Sequence, residues 1–452
     1  MKRTDATDRP VVGNCNPRTL HKSDTFPFLQ GHPGRVALYT SVVAFLTYAS
    51  VFAYRKPFTV AAYEGVEMGR ISYQTLLIIS QVLGYMLSKF YGILFISAMR
   101  RTGRWRVVAA LVGIAWLSLL LFAVTPAWVG LLCFFVNGFT LGFLWGVVFS
   151  YVEGRRSTDL TGSVMAVSFI FAGGFGRSVG KWLMVEQGVP EKWMPFMTGA
   201  VFALPLAVFL WLMERIPPPD EEDERARTKR IPMRAQDRKQ MMSTLGTGIV
   251  IVTVTYAFLT ILRDIRDNYM ANMWRELGYG SDYAVFTRTE TVTSVCVLAM
   301  MGALVLVRRN RLAFRLVHLA IFAGFAVGGV ASALFLTGKM QGSTWMQLTG
   351  LGLYMAYIPF NSIFFERLIA TFRMAANVGF LMYITDAFGY LGSIVLMVVK
   401  ETMRFEITWS TYFAWGVVVF SVVGGLSILS SLRWFDGRHR RLFPGGETVE
   451  KS

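Results

Sequence analysis

The sequence is poor in the side chains on which most enzymes and metal proteins depend. It holds three cysteines, Cys15, Cys133 and Cys296, too far apart for a disulfide framework or a CxxC site. Its four histidines, His21, His32, His318 and His439, lie at or beyond the ends of apolar stretches and have no metal-ligand spacing. No metal and no other cofactor is expected. There is no Ser-His-Asp set and no His-acid motif, which argues against an enzyme. Charge is scarce as well, at 16% of residues, and acidic charge is scarcest: 28 Asp and Glu against 45 Lys and Arg, a net +17.

Apolar residues fill the space, at 54% of 452 positions. A helix crossing about 30 Å of hydrocarbon needs roughly 20 mostly apolar residues. Twelve stretches qualify: 36–63, 70–98, 107–124, 127–151, 160–185, 194–213, 243–272, 282–307, 314–337, 345–365, 375–399 and 409–432. The polar first 33 residues lack an early apolar core and so do not read as a cleavable signal peptide. The charged, proline-bearing "ERIPPPDEEDERARTKRIPMRAQDRKQ" divides the spans six plus six. The expected organisation is a tail over 1–35, a six-helix bundle over 36–213, a linker over 214–242, a second bundle over 243–432 and a tail over 433–452.

Basic residues in short loops orient such a chain. "RRTGRWR", "EGRRSTD", "RRNRLAFR", "ERLIATFR" and the tail "RWFDGRHRR" fall on one side, and the opposite loops are much less basic. Both termini and the linker are therefore expected in the cytoplasm, with the chain in the plasma (inner) membrane. Membrane lipids account for the basic excess, and nucleic acid is not an expected partner. "AFLT" at 44–47 and 257–260, each followed by an arginine, hints at two related halves. A site between two such halves is a recurrent transporter plan.

Charge inside a span costs about 2.5–3.5 kcal/mol on insertion scales and usually faces a protein interior or a watered cavity. Arg55, Lys56, Lys89, Arg177, Lys181, Arg263, Arg266 and Arg288 stand against Asp264, Asp267, Glu290 and Asp386. The cation excess favours an anionic solute. Snorkelling to lipid phosphate is the competing reading for Arg55 and Arg263, and the preferred one for Lys181. Pro57 is expected to bend the first helix beside Arg55 and Lys56. Arg263 and Asp267, four apart, are expected to share a face and pair, with Asp264 pointing elsewhere. Asp386 either carries a proton or pairs with an arginine across the two halves. "GGFGRSVGKW" lacks phosphate-loop spacing and reads as helix packing.

"YRKPF", "GYMLSKFYG" with Lys89, "GFTLGFLWG", the Arg263…Asp267 pattern and "FGYLG" occur in an order that resembles the major facilitator superfamily. The branch they look most like is the organophosphate:phosphate antiporters, the glycerol-3-phosphate and hexose-phosphate transporters. The chain also looks like an uncharacterised bacterial family of that fold. The resemblance implies that Arg55 and Arg263 grip a substrate anion near the axis between halves, with Lys89 facing the same cavity. Two departures stand out. Ile170 falls where the branch has a histidine, and Arg100 stands where the superfamily has an acid before "RxGR".

The expectation is an all-α membrane protein of twelve transmembrane helices, monomeric, acting as a secondary transporter of a small organic anion. Arg55, Lys56, Lys89, Arg263 and Arg266 are the expected substrate-binding residues, and Asp264, Asp267 and Asp386 the coupling or gating ones. The alternative weighed is a membrane sensor on the same fold that binds an organic anion and signals through a partner.

Overall fold

The computed structural model describes residues 26–29, 32–68, 71–98, 103–153, 155–220, 222–223, 235–372, 378–403 and 407–443. Arg100, the tail before Phe26 and most of the linker lie outside them. Twelve rods run back and forth: α1 Pro33–Phe52, α2 Tyr73–Ala98, α3 Arg104–Val124, α4 Ala127–Val152, α5 Thr158–Val185 and α6 Met194–Glu214. The second set is α7 Ala235–Glu276, α8 Ala284–Val305, α9 Asn310–Leu336, α10 Gly342–Phe372, α11 Val378–Thr402 and α12 Trp409–Leu442. The protein is an all-α membrane protein with its helices in two six-helix sets. Among the described residues, ten rods are long and apolar enough to cross a membrane. The other two, α2 and α11, are 26 and 25 residues long.

Several rods outrun their apolar stretches. The helix of α7 begins inside the expected linker, and α12 continues ten residues past position 432. Hydrophobicity marks where hydrocarbon ends, whereas a backbone hydrogen-bond ladder continues into water wherever side chains permit it. The first span differs the other way. Proline at 57 has no N–H to donate, and its ring clashes with the carbonyl four residues back. Helix α1 accordingly stops at Phe52, and the N–H groups of Arg55 and Lys56 both donate to the Phe52 carbonyl, at 3.0 and 3.1 Å. A 3-10 turn, Pro57–Val60, follows. Helix α7, the counterpart of α1, is also interrupted: Tyr269 has non-helical φ/ψ of −110° and 15°. A small antiparallel hairpin, Glu67–Met68 with Ile71–Ser72, leads into α2.

Burial sorts the helices. Only 33% of the apolar window is buried in each of α6, α9 and α12, against 72% in α10 and 61% in α4 and α5. The outer helices turn Leu117, Leu204, Trp211, Val330 and Leu426 outward, where acyl chains are the natural neighbours. The sets meet where α2 packs on α11 and α5 on α8. Glycine makes the closest approaches possible. A Cβ on Gly138 would lie 2.0 Å from the Gln81 carbonyl oxygen, and one on Gly174 would lie 2.7 Å from the Phe286 carbonyl oxygen. The first contact joins α4 to α2, and the second joins the two halves. The "GGFGRSVGKW" run thus packs helices: Gly176 and Gly180 abut Pro57.

Candidate functional site

Where α1 ends, Arg55 turns inward and is 8% exposed. Its guanidinium lies over the Tyr85 ring, 3.8 Å from the centroid, and 5.6 Å from that of Phe52. It makes no ion pair among the described residues, and its Nε is buried with no hydrogen-bond partner. In the other half, Arg263 reaches from α7 between Tyr357 and Tyr390. Its terminal nitrogens donate to the Tyr357 hydroxyl at 2.7 Å and the Tyr390 hydroxyl at 3.3 Å. Its carbon atom Cζ stands 4.6 Å from the Tyr357 centroid, and its Nε also lacks a partner.

These contacts close on themselves. From Arg55 the path runs to Phe52, then Phe169 at 6.1 Å, then Tyr357 at 6.2 Å, and on to Arg263. It returns through Tyr390, which meets Tyr85 edge-on at 5.6 Å, and so back to Arg55. Two guanidiniums, one from each half, thus belong to one loop of five aromatic rings. The halves touch at Phe169–Tyr357 and at Tyr85–Tyr390. Arg263 is an electrostatic neighbour of Arg55 across this loop.

Beside it lies a second cross-half contact. Lys89 of α2 stands 3.8 Å from Asp386 of α11, whose other oxygen accepts from the Tyr256 hydroxyl at 2.6 Å. Asp386 therefore pairs across the halves, with a lysine in place of the expected arginine. Lys89 is one turn beyond Tyr85 on the same face of α2, which brings it within reach.

Asp264 and Asp267 exchange the parts expected of them. Asp264 is the acid beside Arg263, 3.5 Å from a terminal nitrogen, with its other oxygen accepting from Ser393 at 2.8 Å. Asp267 turns to the opposite half. There Lys56 reaches it at 2.6 Å, and an Arg177 terminal nitrogen bonds both its carboxylate and its backbone carbonyl. Four-residue spacing puts Arg263 and Asp267 on one face. The long arginine follows the aromatic loop, while the short aspartate is captured by two cations arriving from outside its helix. Lys56 also donates to Asn268 at 2.8 Å, and Arg177 donates to Thr59 at 3.2 Å. Arg177, left out of the expected site set, is 1% exposed and central to this contact. Its only sequence signal was a charge within a glycine-rich span.

Arg266 and Glu290 form a pair at 2.7 Å, each 1% exposed, inside the second half. Gly350 leaves room for it, since a Cβ there would fall 2.3 Å from the guanidinium. Arg288 is exposed and pairs with Asp282 at 2.6 Å. Ile170, at the position of the branch histidine, is buried and apolar.

Further polar contacts across the halves gather at the end remote from both termini. Glu401 accepts from Ser72 and Thr75, Gln74 exchanges hydrogen bonds with Asn272, and the Thr75 and Tyr269 hydroxyls lie 2.6 Å apart. Ser178 accepts from Thr287 at 2.7 Å. In this state the two sets are closed together at that end.

The sequence pattern described as "Family of unknown function (DUF5690)" matches residues 57–438. No curated protein sequence matches the chain. Among solved structures, the D323A mutant of the nucleoside transporter NupG superposes with a TM-score of 0.59 at 15% identity, covering 88% of this chain and 99% of that one. The major facilitator superfamily proton:xylose symporter XylE gives 0.58 at 14%, covering 89% and 96%. A bacterial homologue of the human lysosomal transporter Spinster, inward-facing and unoccupied, gives 0.54 at 12%, covering 92% and 98%. None of the three is named as an organophosphate:phosphate antiporter. At these identities the likeness shows the fold.

Proposed function

The chain belongs to the family of unknown function DUF5690 and has the fold of the major facilitator superfamily; from that premise we propose that it is a secondary transporter moving a small organic anion by alternating access. The observation that carries the reading is the pair of buried guanidiniums, Arg55 and Arg263, contributed by opposite halves to one aromatic loop. Arg55 has no counter-ion among the described residues, and both Nε atoms lack acceptors. A buried charge without a counter-ion is costly, so an anion between the two would offset that cost. Arginine suits the task because its planar fork meets an oxyanion through two parallel bonds.

Asp267 serves as the gate in this reading. It fastens the halves through Lys56 and Arg177 at the closed end, and that fastening must part in the opposite state. Lys89–Asp386 is the coupling element, since it crosses the halves beside the site. Lys56 and Arg266 act through their acid partners and hold helices in place. In this reading the basic loops face the cytoplasm together with both termini, and the membrane is the inner one. Helix α1 ends just before Arg55, and α7 is interrupted at Tyr269, two residues past the gate Asp267; breaks of this kind suit sites built on discontinuous helices.

The test is ligand binding to purified protein, followed by flux into proteoliposomes. Wild type is expected to bind an organic anion, and Arg55→Ala and Arg263→Ala each to weaken it at least about tenfold, the scale of one charge-assisted hydrogen bond. Unchanged affinity in both variants removes the site. Binding without any flux would assign the molecule as a sensor instead.

A further inference from the structure

The same loop of side chains also says what kind of anion fits, an inference that rests on the transporter reading above. Five of its seven members are aromatic. Phe52, Phe169 and Tyr357 form one arc and Tyr85 and Tyr390 the other, with the two guanidiniums between the arcs. The amide side chains nearby are already engaged. Gln81 donates to the Arg55 carbonyl and to Asn137, and Asn137 donates to the carbonyls of Tyr54 and Ala115. These amides are turned to backbone and to each other, away from a solute rich in hydroxyls. What the loop presents is ring faces, ring edges, positive charge and the hydroxyls of Tyr85, Tyr357 and Tyr390, two of which already accept from Arg263.

Charge at this level is nearly balanced. Arg55, Arg263 and Lys89 face Asp264 and Asp386, three cations against two carboxylates. Among the described residues, the cation left without a carboxylate is Arg55. The neighbouring excess, on Lys56 and Arg177, is engaged with Asp267, Asn268 and Thr59.

We infer that the solute is a small monoanion with a flat aromatic or conjugated body, an aryl or heteroaryl monocarboxylate in class. Its carboxylate bridges Arg55 and Arg263, and its ring slots between the two aromatic arcs. Ring faces attract ring edges, and a guanidinium lying on a tyrosine is already paired with a π surface that a second ring extends. A sugar phosphate fits less well: it brings no ring to the aromatic arcs, its hydroxyls find engaged amides and only the tyrosine hydroxyls, and its second charge exceeds the one left on Arg55.

The test is a binding panel on the purified full-length protein. The probes are benzoate, indole-3-acetate and nicotinate, set against benzamide, glycerol 3-phosphate, glucose 6-phosphate and phenyl phosphate. The expected result is that at least one aromatic carboxylate raises the melting temperature and binds about tenfold or more tighter than every other probe. Arg55→Ala abolishes that preference. Phe169→Leu keeps a core-sized apolar side chain and lowers aromatic affinity about tenfold while leaving non-aromatic anions unaffected. If glycerol 3-phosphate or glucose 6-phosphate binds best and depends on Arg55, the aromatic solute is overturned and the anion transporter stands. If phenyl phosphate outbinds every carboxylate, the single charge is overturned. If benzamide equals benzoate, or no anion binds at all, the anion site itself falls with it.

Discussion

Replacing Asp267 by asparagine removes the one carboxylate that two buried cations share across the halves. Lys56 is 2% exposed and Arg177 1%, so neither finds water while the closed end stays shut. Removing one partner of a buried ion pair typically costs 3–5 kcal/mol, because the other charge is left uncompensated. Asp267 itself is 15% exposed, so the lower end of that range applies, about 3 kcal/mol. At about 1.4 kcal/mol per decade, the closed arrangement loses roughly a hundredfold in population relative to one in which the halves part and the cations hydrate. The assay is a distance distribution between spin labels at Glu64 and Ser281, exposed positions on opposite halves near this end. Asp267→Asn is expected to move the population from the short distance to a longer one. Lys56→Met in the same background should recover part of the short population, since one stranded cation is then gone. An unchanged distribution and melting temperature in Asp267→Asn would refute the reasoning, as would strict additivity of the two substitutions, because contacting partners couple.

Two further perturbations test other contacts. Gly174→Ala puts a methyl 2.7 Å from the Phe286 carbonyl oxygen and from two Glu290 side-chain carbons, so α5 and α8 must separate; the same label pair should report opening, with a stability loss of about 1–3 kcal/mol from overpacking. Outside the membrane, burial pushes the Asp223 carboxyl up, but N–H groups of Arg156 and Asp220 and the nearby arginine charges outweigh it and hold the carboxyl below its ordinary value. A depressed folded value adds stability above the unfolded one and loses it as pH falls through the folded one. The Arg156 and Asp220 N–H groups should therefore lose protection from hydrogen exchange, relative to the intrinsic rate at each pH, only below the usual carboxylate range, and Asp223→Asn should show the lowered protection at neutral pH.

Much of the fold was legible because the bilayer imposes it. Length and apolarity count helices, and the proline-bearing linker splits them. Helix ends were less legible, since α7 and α12 continue through charged residues where hydropathy has already fallen. The break after Phe52 was half visible: proline announced a bend, and the structure shows a full stop followed by a 3-10 turn. In the site, placement along a helix left both the inward and the snorkelling readings open for Arg55 and Arg263; both side chains turn inward, whereas Arg288 stays exposed. It failed on partners. Asp264 lies beside Arg263 because a guanidinium on a long stem curls back to its neighbour, and Asp267 is taken by residues 90 and more positions away. Three-dimensional pairing between halves has no local sequence signature, so Arg177 and the lysine partner of Asp386 emerged only with the packing.

The interruptions of α1 and α7 connect site and gate. Arg55 and Lys56 are adjacent in the turn after α1, yet one faces the aromatic loop and the other faces Asp267 at the closed end. In α7, Arg263 and Asp267 repeat that division one helical turn apart. An anion that draws Arg55 toward Arg263 moves the same turn that carries Lys56, and the strength of the Lys56–Asp267 contact depends on where that turn lies. A ligand shifts an equilibrium only by its differential affinity for the two states. Here the two side chains sit on one short stretch of backbone in each half: the turn after α1 carries Arg55 and Lys56, and one helical turn of α7, ending two residues before its interruption at Tyr269, carries Arg263 and Asp267.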